Sequence, residues 1–481
     1  MEERCPIVFS GKANTNEKGD EDDVNKIFLV SIVLKGMGAI LEILLQILIT
    51  GELGVSGYGM YSAWINAADL IFWVGFSGLV KCNTFYLAEK NTCIRIFKCK
   101  YYTRYAIPIL VIIGFFACAF KGNVSLCIVP LIAGMELLVM DNSSSLIARG
   151  NAVTSLIGEY VLGRLLLVLG VLILRQGTDW NVYALFVLYI VQYMIVLLFF
   201  GYRTRKKHNV YADISQTVSR KKWAAYQQSD LMHAMIEQMP VVLQYLFSGA
   251  FEAGVVSIVL LVKKLINFIS GPTAKVFLPE FSRLYHAGEN EKIRDCYASI
   301  MKIEMLAVGP LAVVLLGYPT VVLKILADEL VGYKSLFMIC AVIFLLTATM
   351  GPCGGILQMT GNEKMDNRCR EGALVGMLII MFLTHKDSYF VLYGLCGEVA
   401  LEAMAKYVYI CYWMKKAPVS WRKYLSWWLL PCIVICLTYI LKLQNSFIAM
   451  VGTAGCVFAV SFIQQIGGRK LWNKVMRKLV G

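Results

Sequence analysis

Long apolar runs constrain this chain more than any other feature. Runs of 18 or more mostly apolar residues recur along its whole length. Each is long enough to cross a hydrocarbon core of about 30 Å as a helix, and a helix satisfies its own backbone groups in lipid. Only 16% of the residues are charged, whereas a soluble domain has about 25%. The sequence therefore predicts an all-α polytopic membrane protein.

We interpret the apolar runs as fourteen membrane spans. The eleventh run is short and the seventh is unusually polar, so twelve or thirteen spans are also compatible with the sequence. The runs are 27–50, 58–80, 102–120, 123–148, 152–174, 182–201, 223–248, 250–279, 298–318, 335–358, 371–384, 389–413, 424–441 and 446–466.

Basic residues alternate between the connecting segments. With the N-terminus in the cytoplasm, the predicted inside segments contain 33 Lys and Arg residues and the predicted outside loops contain 6. Cytoplasmic loops carry the excess of Lys and Arg, and one missed span would scramble this alternation. We therefore predict that both termini are cytoplasmic. The first 26 residues are polar and lack the apolar core of a signal peptide, which predicts a short disordered tail.

One motif recurs in both halves of the chain. The stretch GELGVSGYGMYS follows the first span, and GAFEAGVVS follows the seventh. Aligning Gly59 with Gly254 also aligns Ser62 with Ser257. Both stretches are glycine-rich and are predicted to form short outer turns that lead into a long helix.

A second motif recurs in the same order. LIARGNAV matches LQMTGNEK through a shared Gly-Asn pair at the predicted end of a helix. Two recurrences in one order predict two pseudo-symmetric six-helix lobes, an arrangement that places transport sites between lobes near the middle of the membrane. The predicted layout is a tail at 1–26, an N-lobe at 27–201, a basic linker at 202–222, a C-lobe at 223–413, two extra helices at 424–466 and a basic tail at 467–481.

These motifs resemble a known family. The pattern LG-x-x-x-YG-x-Y-S, the run AGVVSIVLLVKKLINF, the later FLPEFSRLYHAGENEKIRDCY and the motif LQMTGNEK are similar to the polysaccharide biosynthesis, or O-antigen flippase, family. That family belongs to the multidrug/oligosaccharidyl-lipid/polysaccharide (MOP) superfamily, together with the multidrug and toxic compound extrusion (MATE) exporters and the lipid II flippase. The resemblance covers most of residues 27–415.

The resemblance implies a MATE-like fold with a central cavity between the lobes. It also implies alternating access that moves a polyprenyl-pyrophosphate-linked oligosaccharide across the bacterial cytoplasmic membrane. The implied partners are this lipid-linked substrate, membrane lipids and other membrane proteins of polysaccharide assembly. O-antigen flippases usually have twelve spans and the lipid II flippase has fourteen, so the subfamily stays open.

Four of the basic residues inside predicted spans are candidates for a site, since a central Lys costs about 2.5–3.5 kcal/mol. Lys263 and Lys264 lie in the middle of the eighth span, Lys35 lies in the first and Arg164 in the fifth. We interpret them as cavity cations that bind the substrate pyrophosphate; the resemblance to the lipid II flippase implies such cations in spans one and eight. The alternative is pairing with acids on neighbouring helices, or with Glu159 in the case of Arg164.

Acidic residues form a second set within the spans. Glu42 shares a helix face with Lys35, and Asp69 lies in span two, which departs from the lipid II flippase pattern because it has no central cation. Span seven carries a polar stripe that includes Asp230, His233 and Glu237. Ionisable groups in a transport path are candidates for ion coupling, and contact with the substrate sugar is the other role considered.

Two further features concern helix geometry. Pro240 predicts a kink in span seven, because the proline ring clashes one turn back along the helix. In span twelve, Glu398, Glu402 and Lys406 follow each other at i, i+4 and i+8. That spacing favours an intrahelical salt bridge facing the helix bundle.

The motifs also exclude several functions. No G-x-x-x-x-G-K-[ST] motif occurs, so this chain contains no sign of ATP hydrolysis, and an ion gradient, the membrane potential or product consumption must drive transport. The fifteen cysteines are scattered and no C-x-x-C occurs, so no metal, cofactor or disulfide framework is predicted. The net charge of +14 follows the membrane topology and does not indicate nucleic-acid binding.

Two rival functions compete with the flippase. A MATE-type cation-coupled exporter would favour an acidic, aromatic cavity, whereas a phosphate-linked substrate favours the basic residues found here. A membrane-bound polysaccharide polymerase or glycosyltransferase would need catalytic groups on outer loops, and those predicted loops carry no such cluster. The sequence therefore predicts a flippase that is not an enzyme.

Overall fold

The computed structural model describes residues 17–78, 80, 128–148, 151–177, 181–205 and 220–466. Every regular element in these residues is a helix. The third predicted span, at 102–120, lies outside the described residues, as do most of the 202–222 linker and the 467–481 tail. Six helical stretches among the described residues are long and apolar enough to cross a membrane, so the chain is a multi-pass membrane protein.

The described part contains fifteen helices in chain order. They are α1 (Glu17–Gly75), α2 (Ile128–Ala148), α3 (152–174), α4 (Val182–Arg205), α5 (Arg220–Glu237), α6 (Met239–Phe247), α7 (Ala250–His286), α8 (290–317), α9 (Pro319–Leu326), α10 (Lys334–Ala348), α11 (Cys353–Met359), α12 (Glu363–Leu383), α13 (Phe390–Trp413), α14 (Trp421–Ile440) and α15 (Phe447–Ile466). The last turns of α8 and a six-residue part of α3 are π-helical.

Helix α1 contains the first two predicted spans as two arms joined at Gly54. This residue has φ of 70° and ψ of 176°, a conformation that glycine adopts without steric cost. Two hydrogen bonds to residues outside α1 stabilise the bend. The Val55 N–H donates to Glu329 Oε2 at 3.1 Å, and Thr50 Oγ1 donates to the Leu326 carbonyl at 2.7 Å. The predicted outer turn is therefore a single non-helical residue. Helix α1 also begins at Glu17, within the segment predicted to be a disordered tail.

Two other predicted spans are interrupted. The helix of span seven is interrupted at Gln238, between α5 and α6. Pro240 occupies the first turn of α6, which confirms the predicted kink. Span ten also breaks, between α10 and α11, where Gly351 has φ of 81°. The continuous span predicted over 335–358 is therefore wrong at this point, because the turn signal of Gly351-Pro352 and the following Gly-Gly pair lies within an apolar run.

The second arm of α1 packs along α7 and joins the two halves of the molecule. A Cβ atom on Gly59 would lie 1.8 Å from the Ala250 carbonyl oxygen and 2.5 Å from the Gly254 nitrogen, so only glycine permits this approach. One turn away, Ser257 Oγ donates to Ser62 Oγ at 2.8 Å. The residues aligned by the internal repeat therefore face each other, as expected for two lobes related by pseudo-symmetry.

The C-terminal helices complete the described bundle. Helices α12 and α13 pack against each other and against α11 on the C-terminal side of the molecule. Helices α14 and α15 pack on α8, where Pro431 lies beside Gly309. These two helices are additional to the six-helix repeat, and they lie away from the contact between α1 and α7.

Candidate functional site

A polar cavity of about 300 Å³ lies between the two arms of α1 and helices α2, α3, α4 and α7, and residues of α5 and α6 also line it. Polar groups in this position are surrounded by apolar helices, so each must find a protein partner, water or a ligand. Five carboxyl groups, two cations and five tyrosines line the cavity. They are Glu42, Asp69, Glu136, Glu159 and Glu237; Arg164 and Lys264; and Tyr58, Tyr61, Tyr160, Tyr189 and Tyr193.

Two of the predicted pyrophosphate-binding cations, Arg164 and Lys264, line this cavity, and a third, Lys35, lies beside them at Tyr160. We term this group the Glu42 cluster: Lys35, Glu42, Tyr160, Arg164 and Lys264. Arg164 donates from Nε and Nη2 to Glu42 Oε2 at 3.3 and 3.0 Å. Lys264 Nζ lies 3.4 Å from Glu42 Oε1. Lys35 Nζ and Arg164 Cζ lie 5.6 and 5.5 Å from the centroid of the Tyr160 ring, within the range of cation–π attraction.

Local sequence explains how the Glu42 cluster forms. Lys35, Gly38 and Glu42 share one face of α1, since they are three and seven residues apart. A Cβ on Gly38 would lie 2.8 Å from the Tyr160 carbonyl oxygen, so the glycine lets α3 approach α1. The π-helical turn of α3 shifts the register just before Arg164. The sequence alternative for Arg164, pairing with an acid, is present as the ion pair with Glu42. With Glu159 the hydrogen bond is to the backbone carbonyl, to which Nη1 donates at 3.2 Å.

The Glu42 cluster is accessible and contains three cations around one carboxylate. The side chain of Lys264 is 55% exposed, that of Glu42 32% and that of Arg164 29%. Glu159 lies close enough to Lys35 and Arg164 to interact with both electrostatically. Asp69 and Glu237 act on Lys264 in the same way, so further carboxyl groups surround the cluster.

Lys263 is directed away from the Glu42 cluster. Adjacent residues of a helix differ in direction by about 100°, and Lys263 Nζ donates to Glu237 Oε1 at 2.9 Å instead. Both side chains of this pair are largely buried, at 9% and 18% exposed. Lys263 therefore does not belong to the Glu42 cluster, and both lysines take part in ion pairs with acids on neighbouring helices, the alternative given by the sequence.

Lys263 lines a second cavity, of about 400 Å³, within the C-terminal lobe. Lys406 there contacts Asp366 at 2.5 Å and also Glu402, which confirms the predicted salt bridge along α13. Arg370 lies 3.5 Å from Glu402. Asp366 and Arg370 were not predicted as site residues, although their i, i+4 spacing at the start of α12 is typical of an ion pair.

The remaining predicted residues separate into three groups. Asp69 lines the first cavity within hydrogen-bonding reach of Glu136, a cavity residue that was not predicted. Glu237 lines both cavities. Asp230 is buried but lines neither of them, and the side chain of His233 lies outside the described residues. In the part of the chain that the structure describes, no group of His, Cys, Asp and Glu side chains could hold a metal ion.

Comparison with known proteins identifies the fold of the chain. No protein-family model and no curated protein sequence matches the chain. Among solved structures, it is similar to the lipid II flippase MurJ in an inward closed conformation, with a TM-score of 0.65 and 11% identity over 91% of this chain and 98% of that one. The chain therefore has the MATE-like fold of MOP superfamily proteins.

Two multidrug transporters have the same fold. An inward-facing MATE family transporter of the MOP superfamily gives a TM-score of 0.60 at 14% identity, covering 81% of this chain and 98% of that one. The MATE multidrug transporter DinF-BH gives a TM-score of 0.54 at 14% identity, covering 84% of this chain and 98% of that one. The fold agrees with the sequence prediction, while the substrate has to be inferred from the cavity.

Proposed function

We propose that this protein is a flippase that moves a polyprenyl-pyrophosphate-linked oligosaccharide across the bacterial cytoplasmic membrane by alternating access. The Glu42 cluster carries the proposal, since it gathers Lys35, Arg164 and Lys264 at one exposed point. A pyrophosphate has two or more negative charges, and a low-dielectric wall strengthens each contact with a cation. The similarity of the fold to a lipid II flippase supports this substrate class.

The arrangement of the cluster indicates how the substrate would act on the lobes. Lys35, Glu42 and Arg164 lie on α1 and α3, whereas Lys264 lies on α7. Glu42 now bridges Arg164 and Lys264. A pyrophosphate oxygen would replace that carboxylate between the two cations and join the lobes through the substrate. The tyrosines deeper in the cavity would offer hydroxyl groups and ring faces to the sugar.

Complementation of a flippase-deficient strain tests this proposal. Lys264→Ala and Arg164→Ala are expected to insert normally but to abolish surface polysaccharide, with the lipid-linked precursor accumulating on the cytoplasmic side. Lys416→Ala is the matched control, because it removes an exposed lysine in the loop after α13. Full restoration of the polymer by both cluster variants, at normal expression, would contradict a pyrophosphate site at Glu42.

A second candidate is a cation-coupled exporter of amphipathic cations. It is favoured by the lining of the first cavity, where five carboxyl groups outnumber two cations and five tyrosines supply aromatic faces. Binding of a rhodamine dye to the purified protein, followed by fluorescence anisotropy, separates the candidates. The exporter requires dye binding that weakens in Asp69→Asn, whereas the flippase requires displacement of any bound dye by a polyprenyl pyrophosphate.

A further inference from the structure

Glu304 on α8 is an isolated carboxyl group in the interior of the C-terminal lobe. Its relative exposure is 0%, and neither carboxyl oxygen has a hydrogen-bond partner among the described residues. It lines neither cavity and belongs to none of the ion pairs around Lys263 or Lys406. Buried polar groups are nearly always hydrogen-bonded, so this exception requires an explanation.

Glu304 faces the interruption between α10 and α11. A Cβ on Gly351 would lie 3.5 Å from Glu304 Oε2 and 2.7 Å from Cε2 of Tyr297, so the glycine backbone contacts the carboxyl group directly. The Tyr297 hydroxyl donates to the Met350 carbonyl at 2.5 Å and lies 3.1 Å from Cys353 Sγ. Tyrosine therefore holds the broken segment beside the carboxyl group.

The same broken segment forms a wall of the second cavity. Gly351, Pro352 and Cys353 all line that cavity. Glu304 is thus separated from the cavity by the backbone of the interruption. Non-helical backbone within a membrane is tolerated where it is buried in protein or lines a cavity, and broken helices recur at ion sites of transporters.

Few charged or titratable groups surround Glu304. Tyr297 on its own helix and Cys353 on α11 lie within electrostatic reach of it. Of the other helices packed against α8, α15 has no acidic or basic residue, and α10 has only Lys334 at its first position. The basic residues of α14, Arg422 and Lys423, lie in its first turn, with Lys423 acting on Lys302.

Helix α7 also packs against α8, but its lysines Lys263 and Lys264 are engaged elsewhere, and the side chain of Lys275 lies outside the described residues. Lys263 pairs with Glu237 and Lys264 with Glu42, and its acidic residues Glu252 and Glu280 lie near its two ends. No described cation forms a salt bridge with Glu304. An ionised carboxylate without a partner is far costlier in such a site than the neutral acid.

We propose that Glu304 is a proton-binding site coupled to the interruption between α10 and α11. The carboxyl group holds its proton while Gly351 covers it. When the broken segment moves aside, the O–H bond breaks, the proton passes to water in the second cavity, and the carboxylate faces Lys263, Arg370 and Lys406. Proton release thereby favours the open segment. The claim that this site drives transport rests on the proposed function. The claim that Glu304 is protonated does not.

Infrared spectroscopy of the purified protein tests the protonation directly. Wild-type protein at neutral pH is expected to show the carbonyl band of a buried carboxylic acid, shifted in D₂O, and Glu304→Gln should lose that component. Glu371→Gln is the matched control, because it removes an exposed carboxyl group and should leave the band unchanged. An identical band in wild type and Glu304→Gln would overturn the site.

Transport in proteoliposomes then tests the coupling. Glu304→Gln, which keeps the shape and neutrality of the protonated side chain, is expected to lose the acceleration that a proton gradient causes in wild-type protein. An unchanged response to the gradient would overturn the coupling. If the infrared component is lost as expected while no polyprenyl pyrophosphate is moved by wild-type protein, the flippase proposal fails and the proton site stands.

Discussion

The two cavities place neighbouring lysines of one helix in opposite environments. Lys264 lies at the mouth of the first cavity with 55% of its side chain exposed, and its partner Glu42 is shared with Arg164. Lys263 is 9% exposed and has Glu237 as its buried partner. Both lysines are equally costly in a membrane by sequence criteria. The difference shows that two adjacent charges within one span can differ fully in accessibility and partner, which their sequence position does not reveal.

The charged residues that line the second cavity compensate one another. Lys406 and Arg370 lie among Asp366 and Glu402, so cations and carboxylates neutralise each other within the protein. The Glu42 cluster has three cations around one carboxylate that is 32% exposed. A ligand anion would displace that accessible carboxylate at the first cavity, whereas at the second cavity it would have to displace the buried Asp366, whose side chain is 1% exposed.

The largest effect is expected where the two lobes join. Gly59→Val places side-chain atoms on the Ala250 carbonyl and the Gly254 backbone, which cannot move without separating α1 from α7. The loss is expected to exceed the about 1–3 kcal/mol typical of overpacking, and little folded protein should be recovered by size-exclusion chromatography. Gly51→Ala, which meets no atom within 4 Å, is the control. Equal recovery of both variants would contradict the close packing.

The next largest effect distinguishes the two lysines by stability. Lys263→Ala removes the cation that pairs with Glu237 in a buried position, and removal of one partner of a buried pair costs about 3–5 kcal/mol. Lys264→Ala removes an exposed partner, for which about 1 kcal/mol or less is expected. Thermal unfolding in detergent measures both. The double variant Lys263→Met with Glu237→Gln should recover most of the loss, and its failure to do so would count against the pair.

Ligand binding should show the reverse order. Lys264→Ala is expected to weaken binding of a polyprenyl pyrophosphate by about tenfold to a hundredfold, because a hydrogen bond to a charged group contributes ~1.5–3 kcal/mol. The Lys263→Met and Glu237→Gln double variant should bind as wild type does. A titration with fluorescently labelled lipid measures both affinities. Equal losses in the two variants would place the anion elsewhere.

The smallest expected effect is that of salt. Raising the ionic strength from about 0.1 M to about 1 M shortens the screening length from about 10 Å to about 3 Å. Pyrophosphate binding at the exposed Glu42 cluster should weaken severalfold. The stability difference between wild type and Lys263→Ala should hardly change, since buried pairs are screened much less. The titration and the unfolding assay, repeated at both concentrations, check this contrast.

The sequence pattern identified the residues that join the two lobes as equivalent positions of a repeat, although it did not predict their contact. Gly59 and Gly254, aligned by the internal repeat, are in contact, and Ser62 is hydrogen-bonded to Ser257. Close backbone approach demands glycine, so the requirement is visible in the sequence as a repeated small residue. The kink at Pro240 was predictable for the same reason, because a proline restricts its own backbone wherever it lies.

The interruption after α10 and the partners of the charged groups were not predictable. Thr349, Met350 and Gly351 continue an apolar run, so hydropathy does not reveal that the helix ends there. Glu136 is a single acid in a long span, and only the fold brings it to Asp69. The role proposed for the Glu304 carboxyl group likewise depends on the backbone packed against it, which the sequence does not show.

The sequence by itself determined the helical membrane architecture, the two related lobes and the presence of costly charges within the spans. These follow from local properties, since hydropathy, glycine spacing and helix periodicity act over a few residues. Only the tertiary structure decided that Lys264 meets Glu42 and Arg164 while Lys263 meets Glu237. That choice depends on which helices cross beside α7 and at what rotation, and a rotation of one residue, about 100°, exchanges one environment for the other.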